Sequence, residues 1–179
     1  MRGRSEGKFL VLDSSCFNIC VSDYVHLFSE YMIGNFDKSL DFVLSWEGGH
    51  SFDPDDPGGE TYKGVARKKN PQWKGWRYVD EKKFKEADGE LRAFYKEDFW
   101  DKLNCDNLPY PLDLCCFDCA VNMGVSRALN FLSVTQDWRD YLMYRIMRYT
   151  DLGKSYPKFL RGWLNRVLAL WKLVKGGGQ

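Results

Sequence analysis

The sequence predicts a mostly helical domain in which a short loop and hairpin form one wall of a cleft. Apolar residues recur at helical spacing in several stretches, and the most regular stripe is formed by Leu112, Cys115, Cys116, Cys119, Ala120 and Met123. Residues 50–61 instead hold four acids, two prolines and two glycines, which are too many turn formers for a regular element. The length of 179 residues suits one domain with a buried core. We therefore expect a mostly α fold with a small α+β region around that loop.

The first helix that the pattern places leads directly to Glu47. Its apolar face is formed by Phe36, Leu40, Val43 and Leu44. Asp37 is positioned to cap its start. Gly48 and Gly49 follow, and a glycine pair is typical of a left-handed helix end, so Glu47 should project from a helix terminus at a cleft edge. Residues 61–65 then predict a short extended return of the chain.

Five further helices are predicted downstream. One begins at Asp80 and is weakened at Gly89. A central helix follows Pro111 and ends at Gly124, and Ser126 is positioned to cap the next one. Beyond the central stripe, the residues expected to face the core are Phe84, Leu91, Phe94 and Tyr95, then Leu129 and Leu132, then Leu142, Ile146 and Tyr149, and finally Leu160, Trp163, Leu164, Val167, Leu168 and Trp171 in a helix from about Pro157.

The two ends of the chain carry no site signal. Residues 1–34 are expected to be an N-terminal extension of unknown role, with a possible helix over 22–32, and residues 176–179 a disordered tail. The apolar run at 9–12 is shorter than the roughly 7 to 15 residues of a signal-peptide core. No stretch approaches the roughly 18 apolar residues of a membrane span. We therefore expect synthesis in the cytoplasm and no stable membrane insertion.

The charge balance excludes a strong field over the whole molecule. Lys and Arg total 26 against 25 Asp and Glu, which leaves a net charge of +1. Such a balance gives no general attraction to nucleic acid or to anionic lipid. We expect no nucleic-acid partner, and any recognition of a charged partner must be local.

The six cysteines do not form the pattern of a disulfide framework. Cys115, Cys116 and Cys119 share the central stripe, where thiols act as small apolar groups. Zinc binding with Cys105 as a fourth ligand is the alternative, but no paired C-x-x-C motif or neighbouring histidine supports it. Core packing is the favoured interpretation, and no cofactor or metal is expected.

Several sequence blocks resemble one family in the same order. These are E-G-G at 47–49, D-P-D-D-P-G-G-E-T at 53–61 and K-G-V at 63–65, followed by Phe94-Tyr95, Phe99-Trp100, Phe117-Asp118, Asn122-Met123-Gly124 and the run from Phe159 to Arg166. The chain resembles glycoside hydrolase family 108, lysozyme-like N-acetylmuramidases that include phage endolysins and secretion activator proteins. The resemblance implies a lysozyme-like catalytic region at 35–110. It also implies a helical region at 111–175 that resembles a peptidoglycan-binding domain and packs with the catalytic region as one unit.

Glycoside hydrolysis needs a proton donor for the leaving oxygen and a second carboxylate. Glu47 fits the donor, since partial burial beside Trp46 and Phe52 would help it to keep a transferable proton. Asp56 is preferred as the second carboxylate, because its separation from Glu47 resembles that in phage-type lysozymes, and Asp53 is the alternative. Thr61 resembles the threonine that helps to position the attacking water in that fold.

Three further residues are predicted to contact substrate. They are His50, Tyr62 and Asn122, of which His50 and Tyr62 stand where the family usually has other residues. The expected substrate is the glycan strand of peptidoglycan. Because that substrate lies in the cell wall or periplasm, the chain would need a holin or another secretion system to reach it.

Two other classes of function compete with glycan hydrolysis, and one of them remains as an alternative. A calcium loop beginning at Asp53 fails, because Pro57 and Gly64 would occupy positions that require carboxyl-type ligands. A cell-wall binding or secretion-assisting protein with the same fold and little hydrolysis is the stronger competitor, and the substitution at His50 motivates it.

Overall fold

Helices dominate residues 35–52 and 59–176, which are the part of the chain that the computed structural model describes. The α-helices are α1 (Phe36–Leu44), α2 (Trp76–Asp80), α3 (Phe84–Tyr95), α4 (Leu112–Met123), α5 (Val125–Leu132), α6 (Trp138–Ser155) and α7 (Pro157–Gly176). A π-helical turn at Lys96–Trp100 and two 3₁₀ turns at Asp101–Leu103 and Cys105–Asn107 join α3 to α4. These elements belong to one compact unit. The mostly helical fold class is confirmed.

Helix α1 forms where the sequence places it, but its ends differ from the prediction. Phe36 packs edge-on against Trp100 and Phe117, with ring centroids 5.3 and 5.7 Å away. The helix ends at Leu44 in tight turns, and the N–H of Glu47 donates to the Leu44 carbonyl at 3.2 Å. A left-handed end at Gly48 and Gly49 was therefore the wrong prediction, since neither glycine has a positive φ. The N-cap is Asn35, and Asp37 lies inside the first turn.

A small antiparallel sheet flanks the loop, as the hairpin prediction required. Its strands are β1 (His50–Ser51), β2 (Thr61–Tyr62) and β3 (Val65–Ala66), in the order β1-β2-β3. Tyr62 is paired with His50 on one side and with Val65 on the other. Lys63 and Gly64 turn β2 into β3 with φ angles of 42° and 90°. Two consecutive positive φ values are the mark of a tight hairpin turn whose twist matches that of the strands.

Helix α4 lies at the centre of the core, as its apolar stripe predicted. Every residue from Leu112 to Ala120 is buried, because α1, α5, α6 and the π-helical turn pack around it. Cys115, Cys116 and Cys119 are fully buried there, and burial raises the pKa of the Cys116 thiol to about 12. Cys105 is buried beside them with a raised pKa of the same origin. In the described ranges, no three His, Cys, Asp or Glu side chains are placed to hold a metal ion.

Two predicted helix boundaries are wrong, and a possible break at Gly89 does not occur. Asp80 ends α2, and α3 begins four residues later at Phe84. Gly89 does not interrupt α3, since both flanks continue the same helix. Ser126 lies inside α5, because Gly124, at a φ of 89°, already ends α4 and begins α5. Caps are weak local signals, and tertiary packing overrode each of them.

Some apolar residues predicted to face the core lie at the surface. Phe84, Leu129 and Leu168 are exposed, and Trp171 is 36% exposed. In α7 the buried face instead runs through Arg166, Val167 and Leu170. The prediction failed there because α7 is apolar on more than one side, so periodicity alone did not fix which side turns inward.

Helices α6 and α7 form an antiparallel pair. Trp138 at the start of α6 meets Trp171 near the end of α7, with ring centroids 4.9 Å apart, and Tyr149 stacks on Trp163 at 5.2 Å. Within the described residues, no helix is long and apolar enough to cross a bilayer. Gly176 is the last residue of α7, so the first residue of the predicted disordered tail is helical instead. The rest of that tail and the possible helix at 22–32 lie outside the described residues.

Candidate active site

Glu47 lies just past the end of α1, with its carboxylate held between the β2–β3 hairpin and α7. Its side chain is 23% exposed, and Nη1 of Arg166 approaches Oε1 at 3.2 Å. The burial does not come from the predicted neighbours, because Trp46 and Phe52 are both exposed. The carboxylate is therefore half-buried, bound on one oxygen by a cation and reachable from solvent.

The hairpin turn approaches Glu47 closely because its second residue is glycine. A Cβ added to Gly64 would lie 3.0 Å from Oε2 of Glu47 and 2.4 Å from the hydroxyl of Tyr95. That hydroxyl donates to the Lys63 carbonyl at 3.0 Å and so holds the turn against α3. Burial and then the negative charge of Glu47 raise the pKa of Tyr95, which stays a neutral donor. Gly64 and Tyr95 thus form one wall of the site.

Behind Glu47, a chain of buried charges joins three helices. Arg166 of α7 donates from Nε to Oδ1 of Asp118 on α4 at 2.9 Å. Asp118 also accepts from Nη1 of Arg145 on α6 at 2.7 Å, and both of those side chains are fully buried. Burial opposes the charge on both arginines, but the carboxylate of Asp118 holds the pKa of Arg145 and of Arg166 above the ordinary value. Arg166 is therefore fixed from behind before it reaches Glu47.

The same network reaches Asn122, one of the predicted substrate contacts. Arg145 donates to the Tyr149 hydroxyl at 3.4 Å, and that hydroxyl makes a short hydrogen bond to Oδ1 of Asn122. Asn122 lies four residues after Asp118, so the two share one face of α4, about 6 Å apart along its axis. Asn122 itself is exposed.

The other two predicted substrate contacts are placed differently from each other. His50 is 36% exposed at its side chain, and its Nε2 lies 2.8 Å from Oε1 of Glu60. It lines a cavity of about 330 Å³ together with Phe52 and Phe84. Tyr62 is only 2% exposed, and its hydroxyl donates to Oδ1 of Asp88 at 2.9 Å. Tyr62 therefore packs the sheet against α3, and its placement offers a substrate no exposed surface.

The remaining predicted catalytic residues lie beside or within the part of the loop that is not described. Thr61 is half-buried in β2, and its hydroxyl donates to the Gly59 carbonyl at 3.5 Å. Asp53 and Asp56 lie outside the described residues. The choice between these two aspartates therefore stays a prediction.

Four residues of the site had no role in the sequence-based prediction. Tyr95 was predicted as a core residue and as part of a matching block, and Asp118 and Arg166 only as parts of matching blocks. A signal was present for Asp118, which is the one acid between Leu114 and Ala120 in an otherwise apolar and thiol-rich stretch. A charged side chain is rarely buried without a partner, so its position on the core stripe indicated a buried ion pair. Nothing in the spacing identified Arg145 and Arg166 as the partners.

Substitution of Gly64 tests how tightly the hairpin fits the site. Gly64→Ala should lower the free energy of unfolding by about 1–3 kcal/mol, because alanine is strained at a φ of 90°. It should also reduce activity, since its Cβ displaces Glu47. Gly89→Ala is the matched control: nothing lies within 4 Å of its Cβ, and a mid-helix alanine should stabilise by about 0.5–1 kcal/mol. Urea unfolding measures both, and equal effects of the two substitutions would contradict the close approach.

Comparisons with known proteins find a family for part of the chain and a similar solved structure. Residues 40–124 match the sequence model of a family described as Glycosyl hydrolase 108. A solved structure titled "Structure of Brucella abortus SagA" is similar with a TM-score of 0.60 and 26% identity, over 80% of this chain and 95% of that chain. No curated protein sequence matches the chain significantly. The matched segment contains Glu47, the sheet, Tyr95 and Asp118, so over residues 40–124 the chain is similar to the glycosyl hydrolase 108 family.

Proposed function

We propose that this protein hydrolyses the glycan backbone of peptidoglycan as a lysozyme-like N-acetylmuramidase. The observation that carries the proposal is the setting of Glu47 within a segment of a glycoside hydrolase family. Its carboxylate is half-buried, solvent-reachable and bound on one oxygen by Arg166, which Asp118 fixes from behind. A positioned carboxyl group at a cleft edge is what protonation of a glycosidic oxygen requires.

The reaction divides between two carboxyl groups. Glu47 donates its proton to the leaving oxygen as the bond from that oxygen to the anomeric carbon breaks. Asp56 accepts a proton from a water that attacks the anomeric carbon from the opposite side, and the hydroxyl of Thr61 helps to orient that water. The bond cleaved is that between N-acetylmuramic acid and N-acetylglucosamine.

The stereochemistry is proposed to be inverting. Asp56 lies nine residues after Glu47, between Pro54 and Pro57, and these two prolines predict a turn. Such a turn favours a carboxyl separation of roughly 6.5 to 9.5 Å, which admits a water, over the roughly 5 to 5.5 Å of a direct nucleophile. Proton NMR of the first product formed measures the anomer directly, and retention of configuration would exclude this arrangement.

Substitution of the two loop aspartates tests which one accepts the proton from the attacking water. Asp56→Asn should lower the turnover about a hundredfold or more, because the amide cannot accept the proton. Asp53→Asn is the matched control, with the same chemical change three residues away, and should mainly affect loop order. Release of reducing ends measures both rates. An inactive Asp53→Asn with an active Asp56→Asn would move the second carboxylate to Asp53.

Product analysis separates this proposal from its competitor. Mass spectrometry of digested peptidoglycan should show muropeptides with a new reducing N-acetylmuramic acid. Binding to purified peptidoglycan with no loss of turbidity and no new reducing ends would instead favour a cell-wall binding or secretion-assisting role. The proposal also places the site of action in the cell wall, so that the chain works after release from the cytoplasm.

A further inference from the structure

The positive charge of this protein is concentrated at one end of the described chain. Residues 125–176, which cover α5, α6 and α7, hold ten Lys or Arg residues, three Asp residues and no Glu, a net charge of +7. The whole chain carries only +1, so the remaining residues must be acidic on balance. Helix α7 is the extreme case, because it has five cations and no acid over 20 residues. The net charge of the whole chain is near zero, but residues 125–176 are strongly basic.

Only part of this charge is used inside the fold. Arg145 and Arg166 are buried and are neutralised by Asp118 and Glu47. The four other cations of α7 are all exposed, and none has an acidic partner among the described residues: Lys158, Arg161, Lys172 and Lys175. Unpaired surface cations that are not needed for folding are free to meet an anionic surface.

The exposed cations of α7 share their side of the helix with apolar residues. Arg161, Leu168, Lys172 and Lys175 follow one another at intervals of seven, four and three residues, so they lie on one face. Trp171 lies beside them, with Nζ of Lys175 at 5.5 Å from its ring centroid. Leu168 is 53% exposed. The outward face of α7 is thus basic and carries two exposed apolar side chains.

We propose that the outward face of α7 binds the surface of a membrane that contains anionic phospholipid. The helix lies along the surface and keeps its inner face packed on α6, so that nothing spans the bilayer. Lys158, Arg161, Lys172 and Lys175 meet the headgroup charge. Leu168 enters the headgroup region beside the exposed edge of Trp171, whose ring stays packed on Trp138 of α6. This binding is separate from glycan hydrolysis and would hold the protein at a membrane next to its proposed substrate.

The apolar side chains favour a lipid surface over a soluble polyanion. A nucleic acid or a charged cell-wall polymer would bind the cations of this face but would give Leu168 no apolar environment. A bilayer surface would bind both the cations and the apolar side chains, because buried apolar area and electrostatic attraction add in interfacial helices. The experiment must therefore vary charge and apolar surface independently.

Sedimentation of the full chain with lipid vesicles tests the proposal. The chain should bind vesicles of phosphatidylcholine that contain about a third phosphatidylglycerol, should bind pure phosphatidylcholine weakly, and should dissociate as salt is added. Lys172→Gln/Lys175→Gln should lower the partition constant about thirtyfold, about fivefold for each lysine. Leu168→Asn should also lower it several-fold.

The matched control is Lys38→Gln/Lys85→Gln, which removes two exposed lysines from α1 and α3. It should leave the partition constant within about twofold if the face on α7 is responsible. Three results would overturn the proposal: no binding to the anionic vesicles, an equal loss in the control, or no effect of Leu168→Asn. The last result would assign the face to polyanions in general. Glycan hydrolysis in solution should be unchanged in all three variants, so a failure here leaves the proposed function standing.

Discussion

Glu47→Gln is expected to abolish lysis of peptidoglycan while the protein stays folded. The amide has almost the same shape and can still accept a hydrogen bond from Arg166, but it has no proton to transfer to the leaving oxygen. General acid catalysis contributes about 10²- to 10⁴-fold, and the turnover should fall by at least the lower of these factors. Loss of turbidity and release of reducing ends measure the activity, and circular dichroism checks the fold.

Glu97→Gln is the matched control for this experiment. Glu97 is exposed on the π-helical turn, and its side chain makes no hydrogen bond or ion pair within the described residues. Its substitution should leave both turnover and melting temperature unchanged. Near-normal turnover in Glu47→Gln would remove Glu47 from the mechanism, whatever the control shows.

Arg145→Met is expected to produce the largest loss of stability. Arg145 and Asp118 are both fully buried, and their shortest contact is 2.7 Å. Removing one partner leaves Asp118 as a buried carboxylate that depends on Arg166 alone, and such losses cost about 3–5 kcal/mol. For a chain of this size the melting temperature should fall by about 6–20 °C. Thermal unfolding followed by circular dichroism measures the shift.

Arg139→Met provides the comparison on the same helix. Its guanidinium pairs with Asp137 at 3.2 Å, but both side chains are about half exposed. Exposed pairs of this kind contribute about 0–1 kcal/mol, so the melting temperature should shift by no more than a few degrees. Equal shifts in the two variants would mean that the buried ion pair contributes no more to stability than the exposed one.

Helix positions could be predicted from the sequence where the apolar pattern was one-sided. The stripe on α4 gave the correct helix and the correct core, because each of its members lies on the face that its neighbours share. Helix α7 was also located correctly, but Leu168 and Trp171 were assigned to the wrong side. Its apolar residues surround more of the helix, and only packing against α6 decides between the sides.

Only those parts of the candidate site that lie close together in the sequence could be predicted. Glu47 and the short hairpin follow from a helix end, two glycines and a run of turn formers within 20 residues. Arg166 lies 119 residues away from Glu47 and 48 from Asp118, and no periodicity relates positions at those separations. Its role depends on how α7 packs against α4, which is a property of the folded chain.

The dependence of Glu47 on α7 also decides what could be transplanted as a working module. The segment that matches the hydrolase family ends at Gly124, whereas Arg145 and Arg166 come from beyond that boundary. A fragment cut there would retain the proton donor and the hairpin, yet it would leave Asp118 without either of its counter-ions. The smallest portable unit for a fusion protein or a domain exchange therefore extends to Gly176, even though the recognisable family signature occupies less than half of the sequence.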